Sequence, residues 1–256
     1  MPVISSVHLI LSNHIHKKAT NFAVLSELGR FPLHFDIIKS KIRYWYRLEN
    51  LESSFPLVKE AYLDSKSLLQ SKIPSWYGSM NFLLQNINGI SDLATTTNFR
   101  FNRLYRKSIY QFDEEQWRKQ RKKQTDDKLC SYICFKTNFG LEKYLLLLKN
   151  SEQRKILTRL HISAHRLYIE QGRYQGIPRQ NRICNRCTSN EIDDEVHFLF
   201  SCTSSQDDRY YMNSKINSLC SNFNSLNSNQ KLIWLLNTEN VEILISVCNL
   251  ISKSKI

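Results

Sequence analysis

Residues 182–202 read Arg182-Ile183-Cys184-Asn185-Arg186-Cys187-Thr188-Ser189-Asn190-Glu191-Ile192-Asp193-Asp194-Glu195-Val196-His197-Phe198-Leu199-Phe200-Ser201-Cys202. Two thiols three positions apart can turn both sulfurs toward one ion in a tight knuckle. A histidine and then a cysteine five positions after it can close a tetrahedron around that ion. Thiolate and imidazole donors in this mixture suit zinc, and four protein donors leave no open position for water. The expectation is a structural CCHC zinc site on Cys184, Cys187, His197 and Cys202. The competing readings are three free cysteines with a surface histidine, or a redox pair; no βαβ pattern surrounds the CxxC to favour the latter. Thr188 to Glu195 reads as a solvated loop with the Asp193-Asp194 pair facing water, and Phe198 to Phe200 as an apolar anchor for His197. Cys130, Cys134, Cys220 and Cys248 sit on apolar patterns and are expected as buried thiols.

Outward from this cluster the pattern is helical. Residues 36–50 place Ile38, Ile42, Trp45 and Leu48 at helical spacing, with Asp36 at the first turn. A second stretch runs from Pro56 to Gln70 with Leu57, Ala61, Leu68 and Leu69 inward, and Trp76 to Leu84 forms a third. Residues 86–98 read as a loop or hinge. A basic helix from Phe99 to Lys123 follows, then a short one carrying Leu129, Tyr132, Ile133 and Phe135, and an apolar one over Leu141–Leu148. A longer helix is capped by Asn150 or Ser151 and ends at Gly172. Helices near Asp207–Leu219, Gln230–Leu236 and Val241–Ile251 complete the chain. The fold class is mostly α, a multi-helix assembly with a small zinc-stabilised CCHC segment near the C-terminus. Its expected parts are a helical region over 1–98, a basic helical region over 99–181, and the zinc segment with C-terminal helices over 182–256.

The 256-residue chain carries 36 Lys/Arg against 23 Asp/Glu. The excess is concentrated: residues 100–182 hold 20 basic and 8 acidic side chains, whereas residues 183–256 hold 6 and 8. Charge gathered in one third of a chain attracts polyanions. Arg100, Arg103, Arg106, Lys107, Arg118, Lys119, Arg121, Lys122 and Lys123 are the candidate phosphate contacts, and Tyr105 and Trp117 the candidates for stacking on unpaired bases. Arg182 and Arg186 flank the knuckle as further candidates. The competing reading is a solvated helical face with aromatics in the core.

Chemistry beyond binding finds no support. His161 and His165 stand four apart, but Ile-Ser-Ala between them lacks the glutamate of a HExxH protease. None of Asp126-Asp127, Asp193-Asp194 and Asp207-Asp208 has the apolar hairpin flanks of a polymerase palm. Neither a Gly-rich phosphate loop nor a nucleophile elbow is present, so no active site is expected. No stretch of about 18 apolar residues suggests a membrane span, and Met1 to Leu11 lacks the basic region of a secretory signal. With an odd number of cysteines, that points to a reducing compartment, nucleus or cytoplasm.

Several separated segments resemble one family. Lys17–Val24, Glu27–Leu33, Tyr44–Asn50, Arg159–His165 and Ile169–Tyr174, followed by Arg182–Cys202, are similar, in the same order, to the region beyond the polymerase core of non-LTR (LINE-type) retrotransposon reverse transcriptases. The last segment resembles their associated zinc-binding element, and the resemblance spans roughly residues 8–250. It implies that Cys184, Cys187, His197 and Cys202 are zinc ligands. It also implies that the endonuclease and catalytic palm lie upstream, and that this tail binds the element's RNA or the target DNA. The expected function is non-catalytic binding of RNA or DNA, single-stranded in the stacking model, with possible association in trans with an intact polymerase portion and no membrane partner. The alternatives are a zinc-scaffolded protein-interaction adaptor and a decayed copy without retained function.

Overall fold

A computed structural model describes residues 20–51, 55–87, 98–123, 129–254 and 256, with side chains in the long basic helix described from 107 to 122. Among the described residues the architecture is helical. Extended pairing is limited to two isolated antiparallel bridges, Leu28 with Leu141 and Ile183 with Ile192. No helix among them is long and apolar enough to cross a membrane. The chain forms two compact units. One is continuous over Phe31–Gln120, and the other joins Met1–Arg30 to Arg121–Ile256. These bounds cut across the three regions expected from composition, because cores follow apolar contacts and not charge.

With Asn21–Glu27 of the other unit as α1, the continuous unit contains α2 (Leu33–Glu49), α3 (Pro56–Gln70), α4 (Trp76–Gln85) and most of α5 (Asn98–Lys123). Helix α2 buries Phe35, Ile42, Trp45 and Leu48, positions spaced to share one helical face. Ile42 and Trp45 pack with Met80, Leu84, Ile87 and Ile109. Proline occupies the first turn of α3, where its missing N–H costs nothing. Ser75 caps α4 by accepting from the Gly78 N–H at 3.1 Å. Helix α3 departs from its expected face. Leu57 and Leu69 are exposed, and Tyr62 is the buried residue of the helix. Tyr62 finds a matched site, with its hydroxyl 2.6 Å from Glu49 and its ring edge-on to Trp76 and Tyr77. The residues 88–97 of the expected loop lie outside the described residues.

The discontinuous unit comprises α1, α6 (Cys130–Phe135), α7 (Tyr144–Leu147), α8 (Ser151–His161), α9 (Tyr168–Tyr174), α10 (Gln206–Leu219), α11 (Ser228–Asn237) and α12 (Val241–Ser254). Ala23 of α1 shares its core with Tyr132, Leu145, Leu157, Phe198, Leu199, Met212 and Leu244. Gly29 ends α1 at φ 58°, and a Cβ there would lie 2.4 Å from the Leu141 backbone nitrogen, so the passing chain requires glycine. Beneath this crossing, Tyr144 donates to the fully buried Glu27 carboxylate at 2.6 Å. His161, also fully buried, lies 3.4 Å from the same carboxylate and edge-on to Phe135 and Tyr144.

Two expectations change here. The single helix from Ser151 to Gln171 is two helices. The chain breaks at Ser163, whose φ is 51°, and His165 beyond the break turns its Nε2 to Glu195 at 3.0 Å. Asp193 then starts α9 by accepting from the Tyr168 N–H at 2.7 Å. Gly172 therefore sits inside α9, where the Arg182 side chain lies 2.9 Å from where a Cβ would be. Cys130 and Cys134 are exposed and Cys220 half-buried; Cys248 alone of those four is buried. Helix α6 turns Tyr132 and Phe135 inward, which sends positions 130 and 134 outward together.

The leucine run of α7 offers a direct check, because Leu145 is 1% exposed and its neighbour Leu146 is 56% exposed. Urea unfolding should show Leu145→Ala losing about 2–5 kcal/mol and Leu146→Ala less than about 0.5 kcal/mol.

Candidate metal centre

The knuckle is the tip of a small antiparallel loop. The Cys184 N–H donates to the Glu191 carbonyl at 2.8 Å, and the Asp193 N–H returns to the Arg182 carbonyl at 2.9 Å. Asn190, at φ 56°, supplies the left-handed residue that lets the loop reverse. Arg182 is buried and ties the base of the loop to the Ile177 and Ile169 carbonyls at 2.8 and 3.1 Å. Arg186 pairs with the buried Asp193 carboxylate and lies 5.2 Å from the Phe198 ring centre.

The other half of the site is a π-helical turn over His197–Ser201. Its start is capped by Asp194, which accepts from the His197 N–H at 2.9 Å, and the Cys202 N–H closes back onto the His197 carbonyl at 2.8 Å. This closure matters. In an α-helix a residue five positions on is rotated by about 140° and points elsewhere, whereas the wider i→i+5 turn brings positions 197 and 202 round to one side. Phe198 and Leu199, both fully buried, anchor the turn as expected, with Phe200 half-buried. Buried Arg209 from α10 satisfies the turn's outgoing carbonyls, reaching Cys202 at 2.5 Å and Phe198 at 3.4 Å.

The donor atoms of Cys184, Cys187, His197 and Cys202 all lie within 4.8 Å of one another, so these four side chains are close enough to hold a metal ion. A tetrahedral zinc with Zn–S of about 2.3 Å needs sulfurs about 3.8 Å apart and a sulfur-to-nitrogen spacing of about 3.6 Å. The Cys184 and Cys202 sulfurs are 3.9 Å apart, and the Cys187 sulfur is 3.3 Å from His197 Nε2. The sulfurs are too far apart for a disulfide, and all seven cysteines are free. Cys184 and Cys202 are buried, His197 is 3% exposed, and Cys187 is half-buried.

Electrostatics divides the thiols. Hydrogen bonds from Ser189, first its hydroxyl and then its backbone, hold Cys187 down to about 6. Burial pushes Cys184 up to about 12. Metal ligation needs both as thiolates, so an ion must itself compensate the buried Cys184 charge. Three thiolates outweigh a divalent ion by one negative charge, and Arg186 and Arg209 supply positive charge beside the cluster; the Cys202 sulfur acts on both guanidiniums.

The loop between the ligands is less solvated than expected. Asp193 is 2% and Glu195 5% exposed, and each is held by the partners already described. Ser131 and Ser163 add hydrogen bonds to Glu195 at 3.2 and 3.4 Å. Burial by itself would raise Glu195, but the bond and charge of His165 outweigh it and the carboxyl is lowered. Glu191, Ser201, Asp194 and Arg209 escaped the sequence reading, because spacing does not say which of several acids or cations in a loop turns inward. His161 and His165 belong to separate buried clusters and not to a metal pair.

The cationic candidates scatter. Lys107, Arg118, Lys119 and Lys122 of α5 are exposed. Arg118 and Lys119 reach Glu114 and Glu115 one turn back, at 2.8 and 3.0 Å. Arg121 is a correction: its guanidinium turns inward, donating to the Ile133 and Lys136 carbonyls at 2.6 and 2.9 Å and so closing the C-terminal end of α6. Trp117 is a second, since it is 4% exposed and its ring has no free face for a base. Arg182 and Arg186 are likewise committed inside the knuckle. The side chains of Arg100, Arg103, Tyr105, Arg106 and Lys123 lie outside the described ones, although all five positions fall on α5.

Comparison with protein-family models, curated proteins and solved structures returned no match for this chain.

Metal content gives the direct test. The chain purified under reducing conditions with zinc should retain about one ion, and a Cys184→Ser, Cys187→Ser double variant essentially none. Hydrogen exchange should then rise through 182–202 and α10 in the variant, while α2 and α4 keep their protection.

Proposed function

We propose that this chain is a non-catalytic, nucleic-acid-binding C-terminal portion of a non-LTR retrotransposon reverse transcriptase, with a structural zinc on Cys184, Cys187, His197 and Cys202. The observation that carries the reading is the convergence of those four donors, in a segment whose sequence resembles the zinc-binding element of such proteins. A site with four protein donors has no position for a substrate or a reactive water, so its ion acts by folding the segment. RNA or DNA is the partner suggested by α5, which carries nine Lys/Arg against three Asp/Glu.

The partners of Arg118 and Lys119 do not oppose this role. Exposed i,i+4 ion pairs are worth only about 0.3–0.5 kcal/mol, less than a phosphate contact that releases counterions. Phosphate contact therefore falls first to Lys107, Arg118, Lys119 and Lys122, with Arg121 serving α6 instead.

A protein-interaction adaptor is the second reading, favoured by one feature of the continuous unit. Tyr44, Leu57, Val58 and Trp76 line an apolar cleft of about 440 Å³ between α2, α3 and α4.

Binding of a single-stranded RNA oligonucleotide, followed against salt, separates the two readings. If four exposed cations each neutralise a phosphate, log Kd should rise with log salt at a slope near 3, from about 0.7 per contact. A quadruple alanine variant at Lys107, Arg118, Lys119 and Lys122 should abolish most of that slope. A flat dependence in the parent, or no binding to RNA or DNA at all, overturns the nucleic-acid reading and leaves the cleft.

A further inference from the structure

The imidazole of His197 is held from behind by two side chains that are not ligands. Its Nδ1 lies 2.5 Å from a Glu191 carboxylate oxygen and 3.1 Å from the Ser201 hydroxyl. Ser201 donates to the same Glu191 oxygen at 2.8 Å. A carboxylate only accepts, so Nδ1 carries the proton in this contact and Nε2 presents its lone pair. Nε2 faces the sulfurs, 3.3 Å from Cys187. The imidazole is thus fixed in one tautomer and one ring orientation.

Each partner arrives by a different route. Ser201 is four positions along the π-helical turn from His197. Glu191 comes from across the loop, and its backbone carbonyl already holds the Cys184 N–H at 2.8 Å. One residue therefore touches both halves of the cluster, through its main chain on the thiol side and its side chain on the imidazole side. Its side chain is 53% exposed, so apolar packing does not account for its placement. Other acids in the loop are engaged elsewhere: Asp193 with Tyr168 and Arg186, Asp194 with His197 N–H and Arg179, Glu195 with His165.

We propose that Glu191, steadied by Ser201, is a positioning residue that sets the metal affinity of the Cys184–Cys187–His197–Cys202 cluster. It does so by orienting Nε2 of His197 and raising the basicity of that nitrogen. The inference rests on the metal reading above. A carboxylate behind a ligating histidine commonly contributes a factor of 10–100 in affinity.

The test is zinc titration of the full, reduced chain in competition with a chromophoric chelator, with Co²⁺ absorption as the second readout. Glu191→Ala should raise the zinc Kd about 10–100-fold and alter the Co²⁺ ligand-field bands as the imidazole loosens. Glu191→Gln keeps an acceptor for the Nδ1 proton without the charge, and should recover part of the loss. Ser201→Ala should weaken binding by a smaller factor, and Glu60→Ala, a change of the same net charge on α3, should match the parent. Far-UV circular dichroism of the zinc-loaded variants reports that the helices are intact. Equal zinc affinity and equal cobalt spectra for parent and Glu191→Ala overturn the inference while leaving the metal reading in place. A loss in Glu191→Ala that Gln does not relieve, with unchanged cobalt bands, overturns the positioning role in favour of a scaffold role. A parent chain that takes up neither ion overturns both readings.

Discussion

An imidazole and three sulfurs can share one ion only if two separate stretches of backbone bring them to the same point, and much of the C-terminal architecture serves that convergence. The segment from His197 to Cys202 is wound more widely than an α-helix, which aligns its first and last donors. Such a turn forms fewer favourable contacts than a regular helix, so it persists where its surroundings over-determine it. Here Asp194 fixes its start, Arg209 its end, and Phe198 and Leu199 pin it to the core. The facing loop is secured by Arg182 at its base and by the Arg186–Asp193 pair at its side.

Basic side chains in this protein consequently divide into two populations that composition does not separate. Arg121, Arg182, Arg186 and Arg209 hold backbone carbonyls or a buried carboxylate and act as fasteners. Lys107, Arg118, Lys119 and Lys122 project into solvent with at most a weak ion pair. A guanidinium is well suited to the first task, since its fixed fork can serve two acceptors at once. Arg121 does so with Ile133 and Lys136, and Arg182 with Ile177 and Ile169.

What the amino-acid pattern revealed followed the range of each interaction. The helical positions of Ile42, Trp45 and Leu48 and the cap at Asn150 depend on neighbours within a turn or two, and periodicity exposes such contacts. The four-donor cluster was legible because chemistry demands those residue types at short spacing. The outward faces of Cys130 and Cys134, the exposure of Leu57, the break at Ser163 and the inward turn of Arg121 were not legible. The Ser163–His165 bend depends on Glu195 and the Arg121 turn on the carbonyls of Ile133 and Lys136, all beyond the few residues that helical periodicity reports. The two-unit arrangement was hidden for the same reason, since Ala23 and Glu27 meet Tyr132 and Tyr144 only in three dimensions.

That last pairing has a consequence for how the chain acquires its shape. During synthesis α1 leaves the ribosome long before the segments that cover it, and the whole of Phe31–Gln120 intervenes. Until Tyr132 and Tyr144 arrive, the Glu27 carboxylate stays hydrated and Ala23 has no core to join. Closing so large a loop is entropically slow compared with forming local helices. The intervening unit is one continuous stretch of chain and is placed to fold first, and docking of α1 becomes a late event in the maturation of its own unit.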